Sequence, residues 1–500
     1  MKSKDSDYEV IITGSGVAGL TCGALLAKDG VKVLIVEKNP FVGGYCHSFK
    51  KEGFTFDLVS ILLGCSEGGK IYKILKEIGA EKGLEFIRIK KYLTLHGIDD
   101  EVIEISSELI EVIENLTVMF PSDKEGIKGL FQTMDGIYKD LYIMPDSFIS
   151  GLQFLSGNHL RKYGNKTYRE LLDEFISNKR LKFILSSIAI TFGGMTADMV
   201  SALYISNVIM TFFKEGGYLP IGGIQRLPDA VSKVFCHSGG TLIAGERVNK
   251  ITIDKGMVTG IELSDGSVIS TSCVVSNIDA HQTFFSLIGE KNLQDNYLEK
   301  LRLFRSSTSA FVVNLGLDLD IDNLPLSHMT LLLPAADPDE LTFEVQRMIN
   351  GNVSGFCIAH IPTLSDPSLA PEGKHVINLI TLPSYDCNRN WTDEGNIISE
   401  KMICELERLI PKVSANIVHK SFLTPLTLEK YALNYKGACY GWSHTPAQFG
   451  MKRLQPKTPF KGLFLTGHWT VPGGGVTASM ISGFMTSKIA NEYLRNECGT

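Results

Sequence analysis

The segment that most restricts this chain is Gly14-Ser15-Gly16-Val17-Ala18-Gly19, placed directly after the apolar run from Tyr8 to Thr13. The run reads as a buried parallel strand, and the helical stretch Leu20 to Asp29 follows the glycines. A second strand, Lys32 to Val36, then ends on the acid Glu37. Each glycine has a physical task in such a unit. Gly14 permits the tight turn, Gly16 lets backbone approach a pyrophosphate, and Gly19 lets helix and strand pack closely. Phosphates sit at the helix N-terminus, where unpaired N–H groups and the macrodipole favour negative charge. Glu37 stands where a ribose 2′-OH is bound, and its carboxylate would repel a 2′-phosphate. Gly14 through Gly19, with Glu37 and Lys38, are therefore candidate dinucleotide contacts.

Composition bounds the rest. Five hundred residues exceed what one hydrophobic core serves, so two or three structural units are expected. Hydrophobic residues make up 44% and charged residues 21%, a globular balance. With 49 basic and 55 acidic residues the net charge is -6, which argues against a nucleic-acid partner. Ten cysteines carry no CxxC pair, so neither a disulfide framework nor a metal site is expected, and a reducing compartment fits. The charged N-terminus lacks the apolar stretch of a signal peptide, and the chain reads as cytoplasmic. Residues 184–213 hold one formal charge, Asp198, but are interrupted by Gly193-Gly194 and several hydroxyl residues. Core helices or a membrane-facing surface are expected there rather than a span. Nothing in the sequence specifies an oligomeric state.

A second glycine pair, in Phe41-Val-Gly43-Gly44-Tyr-Cys-His47-Ser-Phe49, follows the ribose acid. This resembles flavoproteins of the amine-oxidase and phytoene-desaturase type, in which backbone there passes close to the FAD phosphates. The resemblance implies FAD. No second dinucleotide fingerprint occurs, so no separate NAD(P)H site is expected. Later segments agree: Tyr218-Leu-Pro-Ile-Gly-Gly, then hairpin strands Arg247–Ile253 and Met257–Gly266, then Val274–Asn277 returning to the nucleotide fold. Val248 lies where such proteins present backbone to the adenine. Gly462–Gly467 reads as another strand, leading through Pro472-Gly-Gly-Gly475-Val476 to the helical stretch Ala478–Leu494. That helix N-terminus would stabilise negative charge on a reduced flavin. Taken in order, with Pro362–His375 and Gly437–Gly441, these segments resemble the phytoene desaturase, carotenoid isomerase and retinol saturase family of FAD-dependent oxidoreductases. Three departures stand out: Val59 replaces the glycine of the family's FD-x-G segment, His468 replaces an acid after the C-terminal strand, and Tyr45 replaces a frequent arginine.

The resemblance implies an α/β protein: a Rossmann-type FAD-binding domain built from discontinuous segments, plus an α+β substrate domain with an antiparallel sheet and helices. The expected FAD-binding segments are 1–74, 215–286 and 431–500. A helical substrate or lid region is expected over 75–214, with helices at Tyr168–Ile176 and Lys179–Ile188. A substrate domain is expected over 287–430, with strands at Ala310–Leu315, Met329–Leu333, Gly355–His360 and Val376–Leu382 and a helix at Ile397–Ile410. The implied reaction is desaturation, saturation or isomerisation of carbon–carbon bonds in a hydrophobic isoprenoid or polyene. The lipophilic substrate implies a peripheral membrane contact, offered to 184–213. The alternatives are an amine or ring oxidase on a polar substrate, or a flavin-binding scaffold without turnover. Candidate cofactor contacts are Gly14, Ser15, Gly16, Val17, Ala18, Gly19, Glu37, Lys38, Gly43, Gly44, His47, Val248, Gly467, Gly475 and Val476. Catalytic candidates are His47 and Tyr440; His159, Arg161, Tyr163 and His444 are further polar groups placed to line an entrance or the flavin segment. No metal-ligand spacing and no Ser/His/Asp signature appears.

Overall fold

Five short apolar runs, far apart in the chain, meet in one parallel sheet. The computed structural model describes residues 8–59, 62–97, 102–142, 157–333, 338–352, 357–387 and 389–498. β1 (Val10–Thr13) and β2 (Val33–Glu37) are joined by helix α1 (Val17–Lys28). The strand order is Leu463–Leu465, Val274–Ser276, β1, β2, Thr241–Ala244, every pair parallel. β1 and β2 are buried along their whole length, as parallel strands covered on both faces must be. α1 is buried from Val17 to Ala27 because it packs against two helices, Arg226–His237 and Val476–Cys498. Its first turn, read as loop in the sequence, is already helical, with Gly16 as N-cap.

Behind this sheet, Val248–Asp254, Met257–Leu263 and Val268–Ser270 form the expected antiparallel ribbon. A seven-stranded mixed sheet lies elsewhere in the chain. Its order is Ile417–Leu423, Phe311–Leu317, His375–Thr381, Cys357–His360, Met329–Leu332, Lys91–His96, Val102–Ser106. Met329–Leu332 runs parallel to Lys91–His96, and all other pairs are antiparallel. Helix Trp391–Glu407 covers one face, packing Trp391, Ile398 and Met402 against Phe311, Val313 and Leu379.

The structure refines two sequence expectations. The stretch 75–214, read as mostly helical, also supplies Lys91–His96 and Val102–Ser106 to the seven-stranded sheet, and Phe86–Ile89 pairs with Gly217–Pro220. These strands are four to six residues long, and Lys91–His96 and Phe86–Ile89 find Met329–Leu332 and Gly217–Pro220 far along the chain, while Val102–Ser106 follows as a hairpin partner of Lys91–His96, so local pattern alone does not announce them. Of the two readings of residues 184–213, core helices or a membrane-facing surface, the structure bears out core helices. These residues fall mainly in helices Lys179–Gly193 and Ala202–Glu215, whose side chains are largely buried in the core. No helix among the described residues is long and apolar enough to cross a membrane.

The hairpin Ser48–Lys51/Phe54–Asp57 is tied to the segment before helix Arg226–His237 through one carboxylate. Asp57 Oδ1 accepts from Ser48 Oγ at 2.6 Å and from Ile224 N at 3.1 Å. Burial outweighs these bonds and pushes the Asp57 carboxyl up from 3.8 to about 6. A raised acid holds its proton preferentially in the folded state. Its contribution to stability is therefore full below pH 3.8 and is lost as pH rises through about 6. Asp57→Asn keeps an oxygen for both donors and removes this loss. Above pH 6 the variant should be more stable than wild type by up to about 3 kcal/mol, the gap closing toward pH 4, in denaturant titrations across that range.

Candidate functional site

One continuous cavity of about 430 Å³ begins at the carboxyl ends of the parallel strands and extends to the seven-stranded sheet. At the first end it is lined by Thr13, Glu37, Asn277 and Thr466, each at or just past the end of a different strand. Open α/β sheets bind ligands at this position.

The fingerprint loop is shaped by its neighbours. Gly14 has φ +90°, a conformation side-chain-bearing residues rarely adopt. A Cβ on Gly19 would lie 2.4 Å from Gly14 O, so only glycine lets α1 leave the loop this closely. Ser15 is fully buried, and its N and Oγ both donate to Glu37 Oε2, at 2.8 and 2.9 Å. Glu37 Oε1 accepts from Asn39 N at 2.8 Å. The second glycine pair is locked to the first, because Gly43 N donates to Ser15 O at 3.0 Å.

Asn277 completes this end. Its Nδ2 donates to Gly14 O at 3.1 Å, and a Cβ on Gly16 would come within 2.9 Å of it. Its Oδ1 would be 2.9 Å from a Cβ on Gly467. The sequence reading noted Asn277 only as the end of a strand. The usable signal was its place at the carboxyl end of a parallel strand, where ligands collect.

The loop from Gly467 to Gly475 forms the next wall and is held by a buried cation. Arg453 is fully buried and faces backbone carbonyls rather than an acid. Its Nε donates to Thr470 O at 3.1 Å, and its Nη2 to the carbonyls of Tyr440, Trp442 and His468, at 3.2, 3.0 and 2.6 Å. Burial lowers its pKa to about 9, which leaves it charged at neutral pH. His444 supports the same loop: its Nε2 accepts from Gly474 N at 3.0 Å, and its ring stacks on Tyr204 with centroids 3.7 Å apart. Burial, Arg453 and His468 hold the His444 imidazole well below 6.5, hence neutral and able to accept that bond. Nothing in the sequence marked Arg453, since its four partners are backbone oxygens supplied by folding.

Among the expected contacts, Gly14, Gly16, Val17, Ala18, Glu37, Lys38, Gly43, Gly44, Val248, Gly467, Gly475 and Val476 line the cavity, as does Tyr440. Ser15 and Gly19 sit behind the wall. His47 does not line it: its Nδ1 is 2.6 Å from Gln225 Oε1 and its ring stacks on Phe41. His159, Arg161 and Tyr163 lie apart from it on helix Asn158–Tyr163, where His159 pairs with Asp140 at 3.2 Å and the Tyr163 hydroxyl donates to Glu174. All three replaced positions, Tyr45, Val59 and His468, face the cavity. The Tyr45 hydroxyl donates to Ala438 O at 3.2 Å, and burial with Arg453 drives His468 down to about 3.

Beyond the glycines the lining turns apolar. Val59, Leu62, Phe192, Val208 and Phe212 come from the hairpin and helix side, and Val312, Met329, Ile358 and Ile380 from the sheet.

A dinucleotide cradle at the ends of a parallel sheet, opening into a closed apolar arm beside a glycine loop, is the arrangement of an FAD-dependent oxidoreductase. The residues fit that cofactor, since backbone approaches wherever a Cβ would obstruct it and an acid stands at the end of β2. The chain belongs to the flavin containing amine oxidoreductase family, whose profile matches residues 17–489. It is 26% identical over 505 residues to a chloroplastic prolycopene isomerase of Daucus carota, covering 96% of this chain and 80% of the relative. It is 25% identical over 512 residues to a neurosporene-forming phytoene desaturase of Rhodobacter capsulatus, covering 98% and 95%. An oxidoreductase from Methanosarcina mazei has the same fold, with a TM-score of 0.70 at 18% identity over 96% of this chain and all of that one.

Replacing Arg453 by Met strands several buried carbonyls. The variant should lose about 3 kcal/mol of stability in denaturant titrations and retain less FAD through gel filtration, with Arg453→Lys intermediate in both.

Proposed function

We propose that this protein is an FAD enzyme that desaturates, saturates or isomerises carbon–carbon bonds of a lipophilic polyene. The observation that carries the reading is the apolar arm of the cavity. Its walls are mostly aliphatic and aromatic side chains from two helices and from the seven-stranded sheet, with Thr191, Asn207 and Thr211 of those helices and Lys70 as polar members, and no carboxylate lines it among the described residues. Glu37 and Glu246, the acids that line the cavity, stand at the nucleotide end. An amine oxidase acting on a cation would be served by an acid to offset desolvation, and the apolar arm presents none among the described residues. A hydrocarbon chain needs only a dry, matched surface. The names of the carotenoid isomerase and desaturase relatives support the same substrate class.

In this reading Gly14, Gly16, Val17, Ala18, Gly43 and Gly44 present backbone to the FAD phosphates, with Glu37 and Lys38 at the ribose. Ser15 and Gly19 shape that loop from behind. Val248 borders the adenine, and Gly467, Gly475 and Val476 border the flavin ring. When bound, FAD supplies two-electron exchange with carbon. The chain itself orients the polyene along the apolar arm and keeps water from it. Burial raises the Tyr440 phenol, so this hydroxyl serves as a hydrogen-bond donor on the wall rather than as a proton source. A polyene resides in lipid, so we read the protein as cytoplasmic with a peripheral membrane contact. The strongly exposed Ile110 and Val118 on helix Leu109–Met119 support such a contact.

The test is anaerobic. The flavoprotein is mixed with polyenes in liposomes, first with oxidised and then with reduced flavin. Bleaching of the flavin band, or a shift of the polyene band, is expected. Turnover of soluble amines with no response to polyenes would overturn the reading. Val208→Asp puts a charge on the apolar wall. It should retain FAD and lower polyene affinity at least about tenfold in flavin-fluorescence titrations.

A further inference from the structure

The wall that borders the flavin ring holds a full positive charge with no negative partner. Arg453 is fully buried, and its hydrogen-bond partners are backbone carbonyls. Its Nη1 has no acceptor among the described residues. Against the burial that lowers its pKa stands the Tyr204 phenol, and no carboxylate. Neutral donors could hold carbonyls as well. A buried cation held by dipoles alone keeps its charge in a medium that screens it weakly, at a cost in free energy. Such a charge suits a neighbour that becomes negative.

The charge sits just behind the lining backbone. Arg453 does not line the cavity, whereas Tyr440 and His468, whose carbonyls it holds, do. Pro472 and Gly474 line it too, and a Cβ on Gly473 between them would lie 3.6 Å from the guanidinium carbon. The His468–Trp469 peptide is trans, so the carbonyl turned to Arg453 sends the Trp469 N–H the opposite way, its positive end leading away from the cation.

Nothing nearby cancels the charge. His468 stands where relatives carry an acid, and burial with Arg453 drives it to about 3, so its ring is neutral. His444, which holds Gly474, is neutral for the same reasons. The acids that line the cavity, Glu37 and Glu246, stand at the nucleotide end.

We propose that Arg453, left uncancelled by a neutral His468, raises the reduction potential of the bound flavin by stabilising the negative charge of the reduced ring at the Gly467–Gly475 loop. The inference rests on the placement of the flavin ring at that loop. Arg453 acts through the loop backbone and is a positioning residue. A hydride from carbon brings two electrons and one proton to the ring, which then carries one negative charge. Arg453 offsets that charge, so no second proton is required from a wall that offers no acid. The helix beginning at Val476 contributes a partial positive charge at the same place, and Arg453 adds a whole one.

The test reads the bound flavin without substrate. The FAD-loaded protein is reduced in equilibrium with a reference dye, and separately titrated with sulfite, which bonds to flavin N5 and leaves the same negative charge on the ring. His468→Asp sets an acid on this wall, and Arg453→Met, measured on the fraction that keeps FAD, removes the cation. Each should lower the ratio of reduced to oxidised flavin at a fixed potential about tenfold, ~30 mV for two electrons. Each should weaken sulfite binding about tenfold as well. Arg453→Lys and His468→Asn leave the charges as they are and should stay within about twofold of wild type. An unchanged potential in His468→Asp, or equal falls in the charge-keeping variants, overturns the proposal and leaves Arg453 as a clamp on the loop. Gly475→Ala separates that failure from failure of the ring placement. Its Cβ meets no protein atom within 4 Å, so it shifts the visible flavin band when the ring lies there. A shifted band with unchanged potentials sinks the charge proposal alone, and an unshifted band removes the placement and the proposal with it.

Discussion

The nucleotide end of the cavity depends on how close two backbone loops can come to one side chain. Asn277 bonds Gly14 O, leaves no room for a Cβ on Gly16, and stands against Gly467. The residues that meet there are separated by some 190 to 450 positions in the chain. What brings them together is the parallel sheet, which places β1, Val274–Ser276 and Leu463–Leu465 side by side in register. The glycines are thus consequences of packing as much as of ligand approach: a side chain at Gly16 or Gly467 would separate the strands' ends before it met any cofactor.

The second wall is held by charge without an ion pair. Arg453 gathers four carbonyls from residues 440, 442, 468 and 470, and His444 fixes Gly474 from the other side. A loop containing three successive glycines has little intrinsic preference for one conformation. Multidentate bonding from a rigid planar guanidinium supplies that preference. The apolar arm opens past this loop, so the same bonds that order the glycines also shape the passage between the nucleotide end and the sheet.

Much of the nucleotide end was legible in the sequence because its instructions are local. Gly14 to Gly19 between a strand and a helix, and an acid at the end of β2, are read within 30 residues, and twelve of the fifteen proposed contacts line the cavity. His47 misled because adjacency to Gly43-Gly44 in the chain says nothing of where the ring turns; stacking on Phe41 and bonding to Gln225 take it elsewhere. Asn277 and Arg453 escaped notice because their partners are backbone atoms of distant segments. The apolar run over 184–213 was visible, but whether it faced lipid or core depended on which elements covered it.

The sequence by itself determined the class of ligand, since a βαβ unit with a glycine turn and a terminal acid creates a phosphate site wherever it folds. It also determined most of the strands in the second half, whose apolar runs are dense enough to be read alone. Tertiary structure decided how the two sheets share one cavity, which hydrophobic residues line it rather than fill the core, and that Lys91–His96 joins Met329–Leu332. The physical reason is range. Turn geometry and helix dipoles act over a few residues, whereas burial and hydrogen-bond satisfaction are properties of the closed fold, set only when segments hundreds of residues apart exclude water together.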